Sequence, residues 1–439
     1  MRKYLSILTV LCLSLLVSCN KTDTVEPAGS DSGPFANGSN KRDMIVVISD
    51  LHLGANLAYA EINKNLAPLE NLLSKVRASK NVKELVIAGD LIDEWFVPAN
   101  LDTYNGKGQS DYVQRIAATN KGVLDAFNRI IQDGNILVTY VPGNHDLTIT
   151  AANIASILPG INQARDNVQG LGAYSPAGHP EMIIEHGHRY NFFCAPDPIS
   201  NKDIAPGSIM PPGYFFTRIA ALHVAQGCKT PGDSILAAVP NASGGDSQNL
   251  LYAYWKVWEW TLKTFPITNK FSDKIITTNI DGFTQSLSVN DLVPYQNAAG
   301  GVIDVKMYKG IQDNWDERQK INKVAVNIPA AHAIQYAADP TDTDNQAFVQ
   351  YFTNPNSDKR LVVFGHSHIA KIIPTNNFKG QKSIYANTGA WIDRNPGGTT
   401  TNFVVITPQS TGGSSQTLVK LYNYTGEVVT KMAEDSFVF

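Results

Sequence analysis

Five short apolar runs in this chain each end in a polar cluster able to hold a metal or move a proton, and that repetition constrains the fold more than any other feature. The run 136–141 leads into Pro142-Gly143-Asn144-His145-Asp146, placing an amide oxygen, an imidazole and a carboxylate within three residues behind a glycine turn. The run 44–49 leads into Asp50-Leu51-His52, 84–88 into Gly89-Asp90-Leu91-Ile92-Asp93, 182–185 into His186-Gly187-His188, and 361–364 into Gly365-His366-Ser367-His368. Runs of this length bounded by turn residues read as buried strands. In open α/β sheets ligands bind outside the carboxyl ends of the strands, so residues following different strands converge there although distant in sequence.

The intervening segments carry helical spacing. Leu66, Leu69, Leu72, Leu73 and Val76 form one such pattern, and Val113, Ile116, Ala117, Leu124, Phe127 and Ile131 form another across 110–134. Strands alternating with helices predict an α/β layered core. Residues 190–359 differ: Pro211-Pro212-Gly213 and similar clusters separate two helical patterns, 214–226 and 248–265. Strand patterns then return at 361–364, 369–373, 383–386, 402–406 and 418–422. The middle therefore reads as a large, mostly helical and loop insertion into an α/β domain spanning 43–439. Within it Leu251, Trp255, Trp258 and Leu262 share one helical face, either a core-facing stripe or a wall for a sugar, base or acyl chain.

Residues 1–18 read as a secretory signal, with Arg2 and Lys3 ahead of an apolar stretch too short to span a bilayer comfortably. Leu16-Val17-Ser18-Cys19 resembles a bacterial lipobox, which implies acylation of Cys19 and a membrane anchor through lipid; an ordinary cleaved signal is the alternative. The polar, Gly- and Ser-rich residues 19–42 read as a flexible tether. The expected location is an exported lipoprotein facing the periplasm or the cell surface. There Cys194 and Cys228 either close a disulfide or stay as two buried thiols. The formal net charge of −3 becomes more negative once Arg2 and Lys3 leave, and no basic run is present, so no general affinity for nucleic acid is expected.

The strand ends together offer several histidines, aspartates and one asparagine, but no thiolate. This nitrogen and oxygen donor set suits manganese, iron, zinc or cobalt. It holds too many ligands for one ion, and two neighbouring cations require a bridging carboxylate between them.

Asp-x-His, Gly-Asp-x-x-Asp, Gly-Asn-His-Asp, an isolated His and Gly-His-x-His, in that order from Asp50 to His368, resemble the calcineurin-like metallophosphoesterase family. The resemblance implies a four-layer sandwich of two mixed β-sheets flanked by helices, here with residues 190–359 as a cap, and a centre of two divalent metal ions. Carried over by motif, Asp50, His52 and His368 would hold one ion, Asn144, His186 and His366 the other, and Asp90 would bridge them. His145 would act on the transferring phosphoryl group, with Asp146 orienting its ring. Asp93 and His188 fall to supporting or substrate contacts. The activity implied is hydrolysis of a phosphodiester, phosphomonoester or pyrophosphate by a bridging hydroxide, on a small, lipid-linked or nucleotide-linked phosphate ester. A non-catalytic, metal-stabilised surface lipoprotein that binds a glycan or nucleotide through the cap is the other reading. The first two blocks look closest to UDP-2,3-diacylglucosamine pyrophosphohydrolases. That branch usually has His-Gly-Asp where this chain has His186-Gly187-His188, and it lacks so long an insertion, so the resemblance carries chemistry and not substrate.

Overall fold

A computed structural model describes residues 33–227, 229–410 and 413–438. The expected signal, Cys19, most of the tether and Cys228 lie outside these residues. Two mixed sheets face one another. The first has seven strands, β1 (Met44–Ile48), β2 (Val82–Ala88), β3 (Leu137–Val141), β4 (Asn162–Gln163) and, from the end of the chain, β9 (Asn402–Thr407), β10 (Thr417–Tyr424) and β11 (Val429–Phe437). Their order is β11-β10-β9-β1-β2-β3-β4. The second comprises β5 (Met182–Ile184), β6 (Leu361–Phe364), β7 (Lys371–Asn376) and β8 (Lys382–Asn387) in the order β7-β8-β6-β5. Four of the five strand positions expected after residue 360 shift or grow: 369–373 becomes 371–376, 383–386 becomes 382–387, 402–406 becomes 402–407 and 418–422 becomes 417–424.

The apolar runs do not alternate with polar residues because both faces of each strand are buried. Ile45, Val47, Val86, Ala88, Leu361, Val363, Ile384 and Val404 point between the sheets into one core layer. Val46, Ile48, Leu85, Ile87, Val362 and Phe364 point the other way, into the layer built with the helices. Each such Val, Leu, Ile or Phe side chain contributes about 1.5–3 kcal/mol of burial. Helix α1 (Leu66–Ala78) presents Leu69, Leu72, Leu73 and Val76 to that outer layer.

The single helical stretch expected over 110–134 is two helices, α2 (Gln109–Thr119) and α3 (Lys121–Asp133). Asn120 breaks them: its Nδ2 donates to Ile116 O and to Gly54 O, both at 2.9 Å, so its side chain competes with the continuing helix for a carbonyl. Residues 33–42, expected in the tether, are seated on the domain. Phe35 is buried with its ring 5.5 Å from Phe403, and Asn81 Nδ2 donates to Ser39 O and Lys41 O, both at 2.8 Å.

Between Ile184 and Leu361 the described residues add no strand to either main sheet. After the short helix α4 (Ala151–Ile157) that precedes it, this segment forms helices, including α5 (Pro212–Ala225) and α6 (Gly245–Thr264), and two short antiparallel ladders, Ile276–Thr277 with Ser286–Leu287 and Tyr295–Gln296 with Ile303–Asp304. On α6 Leu251, Trp255, Trp258 and Leu262 are all buried, whereas Trp260 is half exposed. Buried Arg218 on α5 ties this insertion to the loop after the Gly-Asp-x-x-Asp block. Its Nε donates to Val97 O at 2.6 Å, and Nη2 donates to Pro98 O and Ala99 O at 3.2 Å and to Leu101 O. Carbonyl dipoles rather than a carboxylate satisfy this buried cation. Among the described residues no helix is long and apolar enough to cross a membrane.

Candidate metal centre

Strands β1, β2 and β3 are parallel neighbours, as are β5 and β6 in the facing sheet, so five carboxyl ends open on one side. Ten non-glycine residues among those described have positive φ, and five of them are Asp50, His52, Asp90, His366 and His368. A left-handed residue bearing a Cβ costs roughly 1–2 kcal/mol, and such strain gathers where surrounding structure fixes a functional geometry. Two motif glycines are there for space. A Cβ on Gly143 would lie 2.1 Å from Asp90 Oδ1, and one on Gly89, itself at φ +91, would lie 2.3 Å from His186 Nδ1.

One donor set gathers around Nε2 of His52. It lies 3.3 Å from His368 Nε2, 3.6 Å from Asp90 Oδ2 and 3.9 Å from Asp50 Oδ1, while His368 Nε2 lies 3.1 Å from Asp50 Oδ1. The other gathers around Nε2 of His186, which lies 3.0 Å from Asn144 Oδ1 and 3.1 Å from Asp90 Oδ2. His186 Nδ1 donates to Ala88 O at 2.8 Å, which aims the opposite nitrogen into the site. The His366 ring sits 5.1 Å from that of His186, with the planes at 69°. Asp90 Oδ2 is common to both sets, and its Oδ1 accepts from the backbone N–H of His145 at 2.8 Å. Asp50 is held by Ser49 Oγ and by His366 N–H, which lies 3.1 Å from Oδ2.

These donors fit divalent cations. With His186 Nδ1 committed to Ala88 O, an amide oxygen and a carboxylate oxygen converge on Nε2, an arrangement that needs either a proton or a metal cation among them. Charge says the same. Burial works to raise the pKa of Asp90, yet His186, His145 and His52 hold it well below the usual carboxylate range, and His368 and His186 likewise lower Asp50. Burial would depress His186, but Asp90 and Asp50 push it up to about 9, whereas burial and the His186 charge drive His366 down to about 3. Two ionised, fully buried carboxylates therefore rely on cationic neighbours, a place divalent ions would fill. One ligand atom from each of Asp50, His52 and His368 falls within a mutual 4.8 Å, as does one from each of Asp50, Asp90 and His186.

The expected pairing of His145 with Asp146 is not what the fold makes. His145 Nδ1 lies 2.9 Å from Asp93 Oδ1, and Asp93 Oδ2 lies 2.9 Å from His52 Nδ1. Asp146 instead accepts from the backbone N–H groups of Gly143 at 2.6 Å and Leu91 at 2.8 Å, fastening the third block to the second. Sequence adjacency suggested the wrong carboxylate because the loop turns Asp146 inward, away from the ring beside it. The His145 ring stacks on Trp95 at 5.0 Å and is 12% exposed, the solvent-side histidine of its pair with His52.

His188 is buried: its Nε2 donates to Gly170 O at 3.0 Å, and Nδ1 has no partner among the described residues. The Asn387-Thr388-Gly389 turn lies behind the centre, where Asn387 Nδ2 donates to Gly365 O at 2.7 Å. His179, His223 and His332 bond elsewhere, to Glu181, Pro266 O and Asp342. Glu61 carried no sequence signal, because it sits in an irregular loop without periodicity or motif. Its Oε2 lies 3.3 Å from His52 Nδ1, and the loop is clamped by Asp393, whose carboxylate accepts from the N–H groups of Asn63, Lys64 and Asn65.

A comparison with curated proteins finds no match. Residues 44–205, which contain every strand-end block up to His186-Gly187-His188, match the model of the calcineurin-like phosphoesterase family.

Proposed function

We propose that the chain is a two-metal phosphoric ester hydrolase, exported and lipid-anchored at Cys19, with residues 190–359 acting as the cap that selects the substrate. The observation that carries this reading is the position of Asp90 Oδ2, 3.1 Å from His186 Nε2 and 3.6 Å from His52 Nε2, between two donor sets. Asp50, His52, His368 and Asp90 would hold one ion, and Asn144, His186, His366 and Asp90 the other. Divalent ions bound there would polarise a phosphoryl group and lower the pKa of a water nucleophile.

The chain's own residues supply the rest. Asp93 accepts from His145 Nδ1, which fixes the ring and leaves Nε2 for the substrate. Burial alone would lower the His145 pKa, but the Asp93 carboxylate outweighs it and raises the net value, favouring a protonated ring able to donate to a leaving oxygen. Trp95 buttresses that ring and meets Tyr214 of α5, ring centroids 6.3 Å apart, so the insertion reaches the edge of the reacting side. The test is hydrolysis of bis-p-nitrophenyl phosphate and p-nitrophenyl phosphate with added manganese and with chelator. Chelator-sensitive turnover of either ester supports the reading, and its absence under every divalent metal tried would count against it.

A further inference from the structure

The insertion's last regular helix, Pro340–Ala347, drives one acidic side chain into the back of the turn that carries His366 and His368. Asp344 is 3% exposed. Its carboxylate accepts from Ser367 Oγ at 3.0 Å, from Lys371 Nζ at 2.6 Å, from Asn387 Nδ2 at 3.0 Å and from the Tyr385 hydroxyl. Asn387 Nδ2 also donates to Ser367 Oγ at 3.0 Å and to Gly365 O at 2.7 Å. All these partners belong to the β6–β8 sheet and the turn after β6, so one residue of the insertion fixes the residue lying between the two histidines. His366 and His368 stand at φ +66 and +58, a backbone state that persists only where neighbours over-determine it. Beyond the helix the π-helical turn Phe348–Phe352 gives a second contact. Its Tyr351 hydroxyl donates to Glu185 Oε1 at 2.7 Å, on the residue just before His186.

We infer that Asp344 is a positioning residue for the metal centre: through the Ser367 hydroxyl it sets the turn that presents His366 and His368, so the insertion takes part in holding metal as well as in covering the site. This rests on the metal-centre reading above. Removing the carboxylate strands the Lys371 ammonium and frees the Ser367 hydroxyl, and groups that orient metal ligands typically change affinity about 10- to 100-fold when lost.

The test is manganese binding by equilibrium dialysis with metal analysis on the whole chain, Asp344→Ala and Ser367→Ala, alongside thermal unfolding of each. Ser367→Ala removes the hydroxyl that bonds Asp344 and Asn387 and leaves Lys371, Tyr385 and Asn387 on Asp344, so it keeps the fold even where Asp344→Ala does not. Both variants are expected to bind manganese roughly 10- to 100-fold more weakly, with the melting temperature of Ser367→Ala unchanged. Wild-type affinity in Ser367→Ala overturns the inference while leaving the metal centre intact, whatever the fate of Asp344→Ala. A wild-type chain that binds no divalent metal overturns the metal-centre reading, and the inference with it.

Discussion

Asp93 Oδ1 lies 2.9 Å from His145 Nδ1 while its Oδ2 lies 2.9 Å from His52 Nδ1, so one carboxylate sets two imidazoles with different tasks. His52 turns Nε2 toward Asp50, Asp90 and His368, and His145 is the more exposed ring of the two. Replacing His145 by Ala should lower turnover by about 10²- to 10⁴-fold and leave manganese binding near wild type. Asp93→Asn should lower both, because an amide cannot accept from both rings. Steady-state kinetics with parallel metal analysis separates the two. Equal metal loss in both variants would place His145 among the ligands instead.

Asp146 is a structural residue in this arrangement. Its two oxygens accept from Gly143 N–H and Leu91 N–H, and Asp146→Ala would leave both donors buried without partners. At about 1–3 kcal/mol for each unsatisfied group, urea unfolding should show a loss of about 2–6 kcal/mol. Wild-type stability in that variant would mean that the two loops are held by something else.

Glu94 gives the fold a pH dependence of its own. Burial pushes its pKa up to about 7 although Thr148 Oγ1, the Tyr104 hydroxyl and Gln109 Nε2 all donate to it. The unfolded chain releases this proton near the ordinary value of 4.5. Between those two values the folded state binds more protons than the unfolded state, so stability falls as pH rises through the window and levels off above it. The fall is about 3 kcal/mol as an order of magnitude. Chemical denaturation at about pH 5 and about pH 8 should show that component in wild type and not in Glu94→Gln. Parallel pH curves for the two proteins would show that Glu94 titrates normally.

The strand ends were readable in sequence because each is a local signal: a doubly buried run, then donors, with a close-packed glycine between them at Gly89, Gly143 and Gly365. The five blocks are brought to one opening by parallel pairing of β1 to β3 and of β5 with β6. Long-range partners were not readable. Asp93 reaches His145 across 52 residues, Asp344 reaches Ser367 across 23 residues from a helix with no motif, and Glu61 lies in a loop without pattern. Strand β11 escaped for a different reason. It is an edge strand with mostly half-exposed side chains, so Val429–Phe437 shows no apolar run. The break at Asn120 was hidden because its side chain is held on Ile116 O partly by a second bond, to Gly54 O, that comes from a distant segment.

The reading as a metal-dependent phosphoesterase depends most on Asp90, the carboxylate common to both donor sets. Measuring bound manganese and hydrolysis of bis-p-nitrophenyl phosphate in wild type and Asp90→Asn, on the same preparations, tests it directly. Wild type should bind manganese and turn over the ester, and Asp90→Asn should lose bound metal and fall to the background rate while remaining folded. Turnover retained in Asp90→Asn, or wild-type turnover indifferent to chelator, would contradict a metal centre built on that residue.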